Sequence, residues 1–175
     1  MAALARKHVT VCLSGDGGDE LFAGYTPYAD ALARVAPAPV EVLRRMLGVG
    51  ARMVPVHARG KGRLSTLSLG PEGWFVWRRT VFPDYILEAV AAPDVLASGG
   101  RPEREAVEQI RAAAGPLLTR LQHWDQRHYL VDDIMVKVDR ATMAHSLEAR
   151  CPLLDHQVIE LAGAQAAARH GAITL

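Results

Sequence analysis

Cysteine is nearly missing from these 175 residues: there are two, Cys12 and Cys151. Two so far apart make neither a zinc-ligand spacing nor a disulfide framework. One sits in a short apolar run and the other before a proline, so both read as small buried hydrophobes in a reduced compartment. An excess of charge is missing too. The formal net charge is +1, which gives no electrostatic case for nucleic acid or an anionic membrane as a partner. No apolar run approaches membrane length, and Met1 to Lys7 lead straight into an apolar stretch without a signal-peptide core, so a cytoplasmic chain is expected. Half of the residues are apolar, enough for one domain with a core of its own.

What is present is concentrated between Val9 and Tyr25. Val9 to Leu13 is a run that suits a buried strand, and Gly15, Gly17 and Gly18 follow within four positions, letting the backbone turn sharply and approach a ligand closely. Asp19 and Glu20 then open a helix, where free amides and the macrodipole favour carboxylates. Carboxylates on a glycine turn with no lysine nearby point to a metal ion held against phosphates, not to direct neutralisation of phosphate. The stretch lacks the G-K-[ST] ending of a Walker loop, the G-x-G-x-x-G spacing of a dinucleotide fold and the ligand spacing of a calcium loop. For Gly-Gly-Asp alone, a tight turn before a capped helix is the simpler reading.

The longer string S-G-D-G-G-D-E-L-F-A-G-Y, Ser14 to Tyr25, resembles the motif of the asparagine synthetase family, whose synthetase domain belongs to the ATP pyrophosphatases. A second block, Tyr129 to His156, is similar to the same family's D-D-x-x-x-K-V-D-R-x-S-M-A-x-S-L-E-x-R-x-P-F-L-D signature. Thr142, Cys151 and Leu153 stand where that signature often has Ser, Val and Phe, and none of these departures removes a charge. The resemblance covers about residues 5 to 165, strongly at the two motifs and loosely between them.

The resemblance implies an α/β fold by parentage, with this stretch mostly α-helical around one short strand of the parallel type at about 9–13. Nothing after Gly24 reads as a second strand, so the strand's neighbours are expected from elsewhere. Residues 1–175 are accordingly expected to be a partial synthetase domain. Upstream it lacks the S-G-G-x-D-S pyrophosphate loop and the glutaminase domain, and downstream the end with the family's late lysine. Ser98-Gly99-Gly100-Arg101-Pro102 begins like that pyrophosphate loop but has Pro102 and Glu103 where Asp and Ser are required, and it reads as a plain loop.

Between the motifs, apolar spacing predicts helices over about 21–35, 40–54, 72–82, 85–90, 103–113 and 117–129, with a final one over 155–168 capped by Asp155. The aromatics of 74–82 read as core, and the basic stretch from His57 to Arg63 as a solvated loop. In the polar string 132–150, charges alternate with apolar residues, as if held against a partly buried wall. Lys137, Asp139, Arg140, Glu148 and Arg150 therefore read either as an ion-pair network or as a group from which Arg140 meets a carboxylate or phosphate. His145 and His156 read as neutral packing or helix-end residues, not metal ligands.

The resemblance further implies chemistry: ATP adenylates a carboxylate, aspartate foremost, pyrophosphate leaves, and ammonia drawn from glutamine attacks to give asparagine. Carried over by position, Ser14, Gly15, Asp16 and Gly17 are nucleotide contacts, Asp16 is the catalytic carboxylate and Asp19 is a ligand of Mg²⁺. ATP and Mg²⁺ are the expected cofactors and small molecules the expected partners, with no nucleic acid and no membrane; a homodimer is left open. Other members of the family form β-lactam rings, cyclise peptides or amidate cell-surface precursors. Two rival readings stand beside it: a non-catalytic helical interaction module, and a metal-dependent phosphohydrolase built on Asp16, Asp19, Asp132, Asp133 and the histidines.

Overall fold

The computed structural model describes residues 1–98 and 101–171. Gly99 and Gly100 of the expected loop at 98–102 lie outside the described residues. In chain order the elements are α1 (Ala2–Ala5), β1 (Val11–Leu13), α2 (Gly18–Phe22), α3 (Thr26–Leu32), α4 (Ala38–Met53), α5 (Lys61–Leu67), α6 (Pro71–Trp77), α7 (Asp84–Val90) and α8 (Pro93–Ser98). There follow α9 (Pro102–Ala112), α10 (Leu117–Arg127), a π-helical segment (Tyr129–Met135), α11 (Val136–Met143), β2 (Glu148–Arg150), a 3₁₀ turn (Pro152–Leu154) and α12 (His156–Gly171). The mostly helical fold with a short opening strand of the parallel type is the one expected. Among the described residues no helix is long and apolar enough to cross a membrane.

The chain divides into two compact units, one made of residues 1–25 together with those from 115 onward, the other of Thr26–Ala114. In the first, β1 and β2 pair in parallel with Val11 opposite Glu148, Cys12 opposite Ala149 and Leu13 opposite Arg150. The ladder is extended by the amides of Glu148 onto the Thr10 carbonyl at 2.9 Å and of Ser14 onto the Arg150 carbonyl at 2.8 Å. This corrects the expectation that no second strand follows Gly24. Glu-Ala-Arg is too short and too polar to show a period of two; it is extended because Ser146, at φ 54°, ends the preceding helix and because Leu147 is buried at 2% exposure. The opening strand is not fully buried either: Val11 and Leu13 are exposed, and Cys12 and Cys151 are half-buried, not interior.

The core of this unit gathers Leu21, Leu121, Leu130, Leu147 and Ala162. Leu121 and Leu130 belong to a run through α10 and the π-helical segment that the spacing predicts as a single helix ending near Tyr129. The final helix is as read. The Gln157 amide donates to Asp155 Oδ1 at 2.9 Å, so Asp155 caps its start.

In the second unit, α3 packs on α6 and α6 on α9 around Tyr28, Ala31, Phe75, Val76, Ala106 and Ile110. Tyr28 stacks on Phe75 at 5.4 Å, the Arg79 guanidinium covers the other contact of Phe75 at 4.0 Å, and Arg34 lies 3.8 Å over Trp74 while donating to the Leu69 carbonyl at 3.2 Å. Of the aromatics expected as core, Phe75 is fully buried, Trp74 and Trp77 are half-buried and Phe82 is exposed. The helix expected over 72–82 stops at Trp77.

Two boundaries differ instructively. The helix expected over 21–35 is broken at Ala23, which is left-handed at φ 59°. The solvated loop expected at 57–63 instead leads into α5, and Lys61 at its start is 7% exposed. Its ammonium donates to the carbonyls of Ala51 and of Val54, the latter at 2.9 Å, closing the end of α4. A cation on orphaned helix-terminal carbonyls suits both the hydrogen bonding and the macrodipole, which is why a basic residue here faces inward.

Candidate functional site

The acidic turn is built in four steps from its own backbone. β1 ends at Leu13, and Ser14 Oγ donates to Asp16 Oδ2 at 2.5 Å, fixing the first carboxylate of the turn. The Gly18 amide closes onto the Gly15 carbonyl at 3.2 Å. Gly17 takes φ 90° at the N-cap of α2, a backbone state that costs an L side chain on the order of 1–2 kcal/mol. A Cβ at Gly17 would also lie 2.2 Å from Leu154 Cδ2, and one at Gly18 3.1 Å from Leu153 Cδ1. Leu153 and Leu154 belong to the Pro-Leu-Leu-Asp ending of the second motif, so the fold seats the end of one motif on the glycines of the other.

Behind the turn, Glu20 is buried at 1% exposure. The Tyr25 hydroxyl donates to Glu20 Oε1 at 2.8 Å, and Tyr25 in turn meets the Tyr129 ring edge-to-face at 6.1 Å. Burial, and then the Glu20 carboxylate it serves, push the Tyr25 phenol well above its ordinary range, so this donor keeps its proton. From α10, Gln122 Nε2 donates to the carbonyls of Glu20 at 3.2 Å and Leu21 at 2.8 Å, and Gln126 Nε2 reaches the Glu20 carbonyl at 3.4 Å. These glutamines satisfy carbonyls that the five-residue α2 cannot pair within itself.

Asp16 is half-buried and Asp19 exposed. Gly24 lies directly beneath Asp19: a Cβ there would fall 2.0 Å from Asp19 Oδ1, and the Gly24 amide donates to the Asp19 carbonyl at 3.0 Å. Around Gly15 an added Cβ would meet nothing within 4 Å, leaving open space at the head of the turn. Cys151, just past β2, has its thiol pushed up by burial first, then by Asp16 and Cys12. The expected nucleotide contacts Ser14, Gly15, Asp16 and Gly17 and the expected metal ligand Asp19 thus share one turn at the carboxyl end of β1, where ligands of parallel sheets are held. Two carboxylates on an open glycine turn fit Mg²⁺, which takes only one or two protein carboxylates and completes its shell with water and phosphate.

The second charged group is not what the sequence spacing predicts. Lys137, Asp139, Arg140, Glu148 and Arg150 are all exposed, and α11 buries none of its residues. The Lys137 ammonium pairs with Asp133 one helical turn away at 2.5 Å, and Arg150 Nε pairs with Glu148 across β2 at 2.7 Å. These are local surface pairs, each worth on the order of 0–1 kcal/mol, instead of a network held against a buried wall. Of the interleaved apolar residues, Val136 and Met143 are exposed, Ile134, Met135 and Val138 half-buried and Leu147 buried, so the charges sit at the rim of a partly covered surface and not against a closed wall. Asp132 and Asp133 lie on the π-helical segment. His145 and His156 sit at helix ends, the latter with Nδ1 3.7 Å from Asp155. Among the described residues no three or more His, Cys, Asp or Glu side chains come together as a metal site, so the phosphohydrolase grouping is not assembled.

Sequence reasoning missed Gln122, Gln126 and Tyr25 as supports of the turn. Helical spacing assigns the glutamines of α10 to a polar face, and only their tertiary placement makes them partners of Glu20. A cavity of about 590 Å³ lies wholly within residues 48–104 and includes no motif residue.

The family model described as asparagine synthase matches residues 1–168. A protein of Mycobacterium tuberculosis H37Rv named "Putative asparagine synthetase (glutamine-hydrolyzing)" is 37% identical over 166 residues, covering 93% of this chain and 25% of that protein. One of the same name from Mycobacterium bovis shows the same identity and coverage. "Asparagine synthetase (glutamine-hydrolyzing) 1" of Bacillus subtilis is 29% identical over 165 residues, 93% of this chain and 26% of that protein. No solved structure matches. The chain spans about a quarter of the length of these curated relatives. With the end of the second motif seated on the glycines of the first and the family match running through nearly all of its length, the chain belongs to the asparagine synthase family.

Proposed function

We propose that this chain is part of an ATP-dependent amidotransferase, residues 1–175 being part of its synthetase domain. The reaction is adenylation of a substrate carboxylate, aspartate foremost, followed by attack of ammonia released from glutamine to give an amide, asparagine. The observation that carries the proposal is the seating of Leu153 and Leu154 of the second motif against Gly18 and Gly17 of the first, because it brings the ends of two distant motifs together at the acidic turn. Support also comes from the relatives, whose names describe glutamine-hydrolysing synthetases.

In this reading Ser14, Gly15 and Gly17 approach the nucleotide through backbone and hydroxyl groups, and the glycines keep the approach free of side chains. Asp19, exposed on the first turn of α2, holds Mg²⁺, whose charge offsets that of the departing pyrophosphate. Asp16, held by the Ser14 hydroxyl, orients the attacking amine and accepts its proton. Glu20, buried and bonded to Tyr25, stays out of the chemistry and stiffens the turn. The chain by itself is expected not to complete the reaction.

The test is Asp19→Asn in a protein carrying the complete synthetase domain. Pyrophosphate release dependent on aspartate and Mg²⁺ is expected to fall at least about a hundredfold, the scale of losing a metal's charge stabilisation. Unchanged release would overturn the assignment. Amide formation by the purified 175-residue chain from aspartate, ATP and ammonia would overturn the expectation for the chain alone.

A further inference from the structure

The net charge of +1 is a sum that hides a strong local imbalance. The thirty residues 42–71 contain no Asp or Glu and six cations: Arg44, Arg45, Arg52, Arg59, Lys61 and Arg63. Two of the six are engaged within the fold, Arg44 with Glu41 and Lys61 with the carbonyls at the end of α4. Arg45, Arg52, Arg59 and Arg63 are exposed and have no ion-pair partner among the described residues.

Beside them α4 carries an apolar stripe. Val42, Met46, Val49 and Met53 follow one another at intervals of four, three and four residues, which sets them along one face, with Leu43 on its flank. All five are exposed, from 55% at Val42 and Leu43 to 83% at Met53. The opposite face of the helix, where Ala51 is buried, is the one that packs on α5. Arg45 and Arg52, two turns apart, form the rim of the stripe opposite Leu43.

We propose that this face of α4 docks on an anionic lipid surface, lying flat with Val42, Met46, Val49 and Met53 in the headgroup boundary and Arg45 and Arg52 against lipid phosphates. Complementarity of charge and of apolar character together selects this occupant. A nucleic acid would use the cations and leave five aliphatic side chains in water. A protein helix would have to bring an apolar seam edged with carboxylates. An anionic bilayer offers both components at once and makes no demand on shape, which suits a convex helix face without walls. The helix is too short and too polar on its other side to span, so it lies on the surface, and one amphipathic segment with a few cations gives reversible binding.

The test is co-sedimentation of the purified 175-residue chain with vesicles of phosphatidylcholine alone or with about 30% phosphatidylglycerol, a charge density in the range of anionic cell membranes. Binding is expected on the anionic vesicles, at least about tenfold tighter than on neutral ones, and weakened about tenfold by raising NaCl to about 0.5 M. Arg45→Glu with Arg52→Glu is expected to weaken it on the order of tenfold or more, each arginine near such a surface being worth about fivefold. Met46→Glu with Val49→Glu is expected to abolish it. Val90→Glu, at an exposed apolar residue elsewhere, is expected to leave it unchanged, and circular dichroism should show the same helicity in every variant. No binding to anionic vesicles, equal binding to neutral ones, or indifference to both double variants overturns the proposal. So does retention on duplex DNA that survives Met46→Glu with Val49→Glu, or a solution dimer that this pair disrupts while vesicle binding persists.

Discussion

At the scale of single residues, the acidic turn depends on what is absent from three glycines. Gly17 has both a left-handed backbone and Leu154 Cδ2 where a Cβ would go, so Gly17→Ala is expected to cost about 1–3 kcal/mol in a urea titration. Shortening the neighbour relieves only the steric part: in Gly17→Ala with Leu154→Ala the two costs should fail to add by about 0.5 kcal/mol or more, while additivity would mean the two motifs are not in contact. Gln122 answers for the rear of the turn. Gln122→Leu keeps most of the volume and removes the donor, leaving the Glu20 and Leu21 carbonyls without it, for an expected loss of about 1–3 kcal/mol read from the same titration. The glycines announce themselves in the sequence because few other residues tolerate such turns. Gln122 does not, because a glutamine on a helix is ordinary until something across from it needs a donor.

At the scale of elements, the contact between α7 and α9 is sensitive to pH. The Asp84 amide donates to Glu103 Oε2 at 2.8 Å, and both carboxyls are pushed up, chiefly by burial. A carboxyl raised in the folded state binds its proton more tightly there than in the unfolded chain. The stability this contributes is therefore complete below the unfolded value and is lost as pH rises through the folded one. Thermal midpoints are expected to fall as pH rises through the upper carboxylate range towards neutrality. Glu103→Gln, which keeps an acceptor for the Asp84 amide, should flatten that slope and raise the midpoint at neutral pH; a slope unchanged by the substitution would locate the titration elsewhere. Most helix positions were legible from apolar spacing, but α5, α8 and α11 were not, and neither were the helix ends. The break at Ala23 follows from Gly24 lying against Asp19, and the start of α5 from Lys61 turning inward onto the carbonyls of α4. Neither contact is written in the spacing of apolar residues.

At the scale of the whole molecule, the division into two units has a spectroscopic consequence. Trp74 and Trp77 belong to the unit of Thr26–Ala114, and Trp124 to the other. Phe75→Ala, which empties a fully buried site between Tyr28 and Arg79, is expected to cost about 3–5 kcal/mol. In a Trp124→Phe background the unfolding free energy reported by Trp74 and Trp77 should fall by that amount, while the unfolding free energy reported by Trp124 alone changes less; equal changes would mean that the units unfold as one.

The sequence by itself determined the family, the acidic turn and the run of helices, since these rest on local properties: glycines at a turn, carboxylates at a helix start, apolar residues at helical intervals. Only the tertiary structure decided that Glu148–Arg150 is a strand, that the charges of 137–150 face water, and that Gln122 and Tyr25 hold the turn. The physical reason is common to all three. Extended pairing, burial and the satisfaction of an orphaned carbonyl belong to two segments at once, and neither segment carries a record of its partner.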